Sequence, residues 1–201
     1  MSLLDNIMPA PRREQLVLFV VDVNPNIGGY LISMTTTVLE ELIRGIRNTI
    51  VESDDIEVKI AILQFGGCSW TMDETGPVNI EDYFLNEYPK HDMLGIESAL
   101  LELNKRLNRN EFMNSINGSY PPIIVFIGSG EVKHNVREEI AVLKKNVWFN
   151  HAIKIAIKTD VTARSELFEQ ITGNPEAIFD ITDMKSIKAI FRHLCRSAFI
   201  S

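Results

Sequence analysis

The stretch LVLFVVDVNPNIGG, Leu16 to Gly29, decides the reading of the fold. Six apolar residues run unbroken into Asp22, and two asparagines and two glycines follow. A continuous apolar run of this length marks a strand covered on both faces, as in a parallel sheet. Asp22 is then a carboxylate delivered by a buried strand into a polar turn. From Tyr30 the period changes: Leu31, Met34, Val38, Leu42, Ile46 and Ile50 recur every three or four residues. That spacing predicts a long helix with one apolar face.

The same alternation continues outward. EVKIAILQF, Glu57 to Phe65, reads as a second strand, with Gly66 and Gly67 as a tight turn and SWTMDE as a short antiparallel edge strand. VNIEDYFLNEY fits neither period cleanly. Helical spacing returns over 94–107, and NRNEFMNSINGSYPP reads as a long polar loop. IIVFIGSG is a further buried strand, followed by a helix over about 136–145, the strand HAIKIAIKT, a helix over about 164–170, the turn TGNP, the short strand AIFDI and a closing helix over 184–195.

Strands alternating with helices predict an α/β fold. It is a doubly wound, mostly parallel central sheet of about six strands, one of them a short antiparallel edge strand, with helices on both faces. Residues 1–14 read as a flexible arm and 15–201 as one domain. In such sheets ligands bind beyond the carboxyl ends of the strands, at the topological switch point. Asp22, the loop HDMLG at 91–95, and Ser129 with Gly130 would then meet on one rim.

Composition narrows the function classes. The 201 residues carry a net charge of -7, with 45% hydrophobic and 23% charged residues, ordinary for a globular protein. An acidic chain without a basic cluster argues against nucleic acid and anionic membranes as partners. The opening MSLLDNIMPAPRREQ lacks a cationic region followed by an apolar core, and no apolar run approaches the roughly 18 residues of a membrane span. The expected compartment is the cytoplasm. Cys68 and Cys195 are far apart in sequence and form no zinc-ligand pair; both are expected as packing residues. NIGGY has neither the spacing of a dinucleotide-binding glycine loop nor the lysine of a P-loop.

Five stretches together resemble the von Willebrand factor A domains, and among them the bacterial group associated with tellurite and chemical-stress resistance. LVLFVVDVNPN sits where that family has a strand followed by Asp-x-Ser-x-Ser. VKIAILQFG matches its second strand, HDMLGIESAL its Gly-Thr-x-Leu-Gly loop and helix, and IIVFIGSGE its Leu-x-Thr-Asp-Gly-Glu strand end. QITGNPEAIFDITDMKSIKAIFRHL matches its C-terminal run. The resemblance implies a non-enzymatic protein-interaction module in a bacterial stress-response or signalling complex. It also implies a metal-ion-dependent adhesion site, where a divalent cation such as Mg²⁺ is completed by an acidic side chain of a partner protein.

Carried over position by position, the metal ligands become Asp22, Asn24, Asn26, Asp92 and Ser129. Asp22 keeps the family residue; asparagines replace both serines, Asp92 stands at the threonine position, and Ser129 replaces the aspartate. Two carboxylates are retained in total, and asparagine carbonyls are legitimate ligands for Mg²⁺, Mn²⁺ or Ca²⁺. The same residues also permit a retired site, with Asp22 bonded to turn amides, the asparagines serving as turn formers, and Lys90 or Lys133 supplying the positive charge. A rival class is an isochorismatase-like cysteine hydrolase, which shares the phrase of an apolar strand ending in Val-Asp. It requires a cysteine at a helix N-terminus, where its pKa falls; neither Cys68 nor Cys195 is expected there.

Overall fold

The computed structural model describes residues 12–23, 29–50, 56–66, 69–70, 77–84, 95–130, 135–160, 162 and 165–199. The elements in chain order are β1 (Arg13–Asp22), α1 (Gly29–Ile50), β2 (Ile56–Phe65), β3 (Ser69–Trp70), β4 (Val78–Asn79), α2 (Ile96–Arg106), β5 (Ile123–Gly128), α3 (Arg137–Lys145), α4 (Val147–His151), β6 (Ile153–Lys158), α5 (Glu166–Thr172), β7 (Ile178–Asp180) and α6 (Met184–Phe199).

One sheet runs β3-β2-β1-β5-β6-β7, with β4 on the same edge of β2 as β3. The five strands β2, β1, β5, β6 and β7 are mutually parallel; β3 and β4 are short antiparallel pieces sharing the outer position. The doubly wound α/β architecture is as the sequence predicts. From β1 the chain crosses to β2 on one side and later to β5 on the other, so the switch point lies between the C-terminal ends of β1 and β5.

Strand alternation divides the core. Val17, Phe19 and Val21 of β1 join Ile60 and Ile62 of β2 on the face covered by α1 and α6. The intervening Leu16, Leu18 and Val20 join Leu63, Phe126 and Ala156 on the face covered by α2, α3, α4 and α5. Both faces of β1 are therefore buried, which is why its sequence shows no polar alternation. In α1 the buried Val38, Leu39, Leu42, Ile43 and Ile46 form the predicted stripe. The Phe19 and Phe191 rings, 6.4 Å apart and tilted by 43°, seat α6 on β1. Glu41 of α1 pairs with Lys188 of α6. At the start of α6, Ser186 N donates to Asp183 Oδ1, and bonds from Ser186 hold the Asp183 carboxyl below its ordinary pKa.

Several boundaries differ from the sequence reading. β1 begins at Arg13, two residues inside the segment read as an arm, and Glu14 is buried beside Lys59. VNIEDYFLNEY resolves into β4 and a turn through 80–82, with 85–88 outside the described residues. A further short helix, α4, takes His151 from the predicted strand. Its cause is Asn146, whose side-chain oxygen accepts from Trp148 N and Phe149 N. α6 runs four residues past 195.

Candidate functional site

The rim follows from register. The last apolar row on the α2–α5 face is Leu63, Val20, Phe126, Ala156 and Ile178, paired strand by strand. Two residues further along each strand, on the same face, stand Phe65, Asp22, Gly128, Lys158 and Asp180. Asp22 pairs with Phe65, Gly128 with Lys158, and Lys158 with Asp180, which leaves only the step from Asp22 to Gly128 to be placed. An ideal Cβ on Gly128 would fall 2.9 Å from the Asp22 Cβ, which places Gly128 directly beside Asp22. The sheet thus ends in one polar row at the switch point.

Backbone bonds hold this row in place. The ladder continues one step past each strand: Val23 N donates to Phe65 O at 2.8 Å, Thr159 N to Gly128 O at 2.9 Å, and Ile181 N to Lys158 O at 2.8 Å. Asp22 is 6% exposed. The Ser129 hydroxyl donates to Asp22 Oδ2 over 3.4 Å. Lys158, 9% exposed, places its ammonium 3.4 Å from Asp180 Oδ1.

Of the five predicted metal ligands, Asp22 and Ser129 are brought together. Asn24, Asn26 and Asp92 lie outside the described residues, as do Lys90, His91, Lys133, His134 and Cys68. Among the described residues no group of three or more His, Cys, Asp or Glu side chains is arranged to hold a metal ion. The sequence reading missed Lys158 and Asp180. No local signal marked them: their place in the row follows from the register of β6 against β5 and β7.

Cys195 has no activating surroundings. It is buried inside α6, and desolvation pushes its pKa up to about 12. A nucleophilic cysteine needs the opposite shift. Trp148 packs against the second core cluster. Among the described residues no helix is long and apolar enough to cross a membrane.

No protein-family model and no curated protein matches the chain. Among solved structures, proximal thread matrix protein 1 from the mussel byssus superposes with a TM-score of 0.60 at 13% identity, over 90% of this chain and 48% of that one. The pilus adhesin SpaC from Lactobacillus rhamnosus GG, in its open conformation, superposes with a TM-score of 0.60 at 10% identity, over 92% of this chain and 30% of that one. The chain spans about half the length of the first and about a third of the second. At these identities the likeness is one of fold.

Proposed function

We propose that the chain is a non-enzymatic protein-interaction module of von Willebrand factor A type, acting in a bacterial stress-response or signalling complex. Its partner docks on the rim at Asp22 through an acidic side chain, completing the coordination of a divalent cation. The observation that carries this reading is the Asp22–Ser129 pair. Two hard oxygen donors, one at the end of β1 and one just past the end of β5, face each other at the switch point, 3.4 Å apart.

The donor pair fits such an ion. Ligands at right angles around calcium stand ~3.4 Å apart, and around magnesium ~2.9 Å. These two oxygens are a third of the roughly six that such a cation takes. Asp22 supplies charge and Ser129 a neutral oxygen; Asn24, Asn26 and Asp92 are the further ligands that the family resemblance implies. The ion would supply a positive centre for a partner's carboxylate.

The test is thermal. Binding to the folded state alone raises apparent stability. Wild type and Asp22→Ala are melted in chelator, then in millimolar Mg²⁺, Mn²⁺ or Ca²⁺. The expected result is a higher midpoint for wild type with cation and no change for the variant. A wild-type midpoint indifferent to all three ions overturns the cation reading.

A further inference from the structure

The end of the chain is segregated by charge. From Ser165 to Asp183 the acids are Glu166, Glu169, Glu176, Asp180 and Asp183, and no lysine, arginine or histidine interrupts them. Over α6 the order is reversed: Lys185, Lys188, Arg192, His193 and Arg196 stand in the helix without an acid. The whole chain holds 27 acids against 20 lysines and arginines, so α6 is an island of the opposite sign.

The fold places the two blocks on opposite faces of the sheet. α5 buries Leu167, Phe168 and Ile171 in one core cluster and leaves Glu166 and Glu169 exposed, with Glu176 exposed shortly after them. α6 buries Ile187, Phe191 and Cys195 in the other cluster and leaves Lys185, Arg192, His193 and Arg196 exposed. Spacings of three and four residues keep these bases on one side of the helix, and Lys185 to Arg196 spans ~16 Å at the helical rise. Some of the charges are already engaged: Lys188 by Glu41, Asp180 by Lys158, and Asp183 by the first turn of α6. Among the described side chains of α6 no large apolar one is exposed, and Ala189 lies in the middle of the stripe. Without an apolar wedge the face suits an acidic protein surface better than a bilayer.

We propose that the outer face of α6 docks a second copy of this chain, on the surface that carries Glu166, Glu169 and Glu176. Charge complementarity selects the occupant: the acidic surface that α6 calls for is present on the other side of the same sheet. Because the two surfaces differ, the contact is head-to-tail, and copies add in a row or a ring instead of closing as a twofold pair. Asp22 lies at the strand ends, between the two contact faces, so assembly leaves its rim open in every copy. Each copy has a net charge of -7, so copies repel as wholes. The attraction acts only within about a Debye length, ~10 Å at 0.1 M salt, which makes the association weak and salt-sensitive.

The experiment is sedimentation velocity of the full chain at rising concentration, in ~0.02 M and ~0.5 M salt. It is run in chelator, so its outcome is independent of the cation reading. The samples are wild type, Arg192→Glu, Glu169→Lys and an equimolar mixture of the two variants. Far-ultraviolet circular dichroism confirms that each variant is folded, and Arg192→Gln or Glu169→Gln replaces one that is not. Wild type is expected to associate at low salt and to dissociate at high salt. Each variant alone is expected to associate about tenfold more weakly. The mixture is expected to recover association, since it again offers an unaltered α6 and an unaltered acidic face. A wild type that stays monomeric throughout overturns the proposal. So does association that either substitution leaves unchanged, or a mixture no more associated than its components. A monomeric wild type that binds duplex DNA or phosphatidylglycerol vesicles at low salt, and loses this in Arg192→Glu, assigns the face to a polyanion instead.

Discussion

Gly128 lies so close to Asp22 that a methyl group on it would stand 2.9 Å from the Asp22 Cβ and 3.4 Å from the Phe65 ring. Both neighbours sit on strands pinned by ladder bonds, so neither can move aside without disturbing the row. Gly128→Ala is expected to cost about 1–3 kcal/mol, the usual range for overpacking a close-packed site. Urea unfolding checks that. The same variant displaces the Asp22 carboxylate, so its thermal response to cation should be smaller than that of wild type. A stable Gly128→Ala with an unchanged cation response would show that the row has slack.

At the opposite end of β1, Glu14 is 2% exposed and Lys59 Nζ stands 2.6 Å from its Oε2. A buried carboxylate is tolerated because it is paired; removing one partner strands the other. Lys59→Met is therefore expected to destabilise by about 3 kcal/mol or more. Glu14→Gln in the same background should recover part of the loss, since the remaining amide carries no charge. Denaturant midpoints for the two single variants and the double variant give the coupling directly.

Cys195 makes a pH prediction of definite sign. Its thiol is raised from 9.0 to about 12 by burial in the folded chain, while the unfolded chain ionises it near its ordinary value. Between those values the unfolded state binds fewer protons than the folded one, so stability falls as pH rises. The contribution is fully present below pH ~9 and is reduced by about 1.4 kcal/mol at pH ~10. Wild type should thus lose stability faster than Cys195→Ala over that interval, measured by urea unfolding at each pH. In the native state Cys195 should also resist alkylation, read by site-resolved mass spectrometry.

How much of this was legible follows from where each signal resides. Asp22 could be read because a local pattern announces it: six apolar residues and then a carboxylate. Ser129 could be read for the same reason, closing IIVFIGS. Lys158 could not. In IKIAIK, Lys154 and Lys158 flank Ala156 on one face and look equivalent. Lys154 turns to the carbonyls of Phe149, Asn150 and Ala152 at the end of α4, and burial lowers its pKa. Lys158 meets Gly128 and Asp180 instead. Only the register of β6 against β5 and β7 separates the two lysines, and register is a non-local property. The α4 helix was missed for a simpler reason: five residues are too short for a period, and its one local mark, Asn146, reads equally as a turn residue.

Gln64 sits one residue before the end of β2, in register with Val21 of β1 and Ser69 of β3. It is fully buried, on the face it shares with Ile60 and Ile62, and among the described residues neither its amide nitrogen nor its oxygen finds a hydrogen-bond partner. Thr35 Oγ1, on the helix that covers this face, is buried and without a hydrogen bond as well. An unsatisfied buried amide costs about 1–3 kcal/mol by mutational measures. Gln64→Leu keeps nearly the same volume and removes both polar atoms, so it is expected to stabilise the fold by about that amount. Gln64→Glu should do the reverse at neutral pH, because it buries a charge where even an amide is unpaired. Thermal and urea midpoints of the two variants against wild type decide it. Opposite displacements are expected, and a loss of stability in Gln64→Leu would mean that the amide is held by bonds to water at the end of β2.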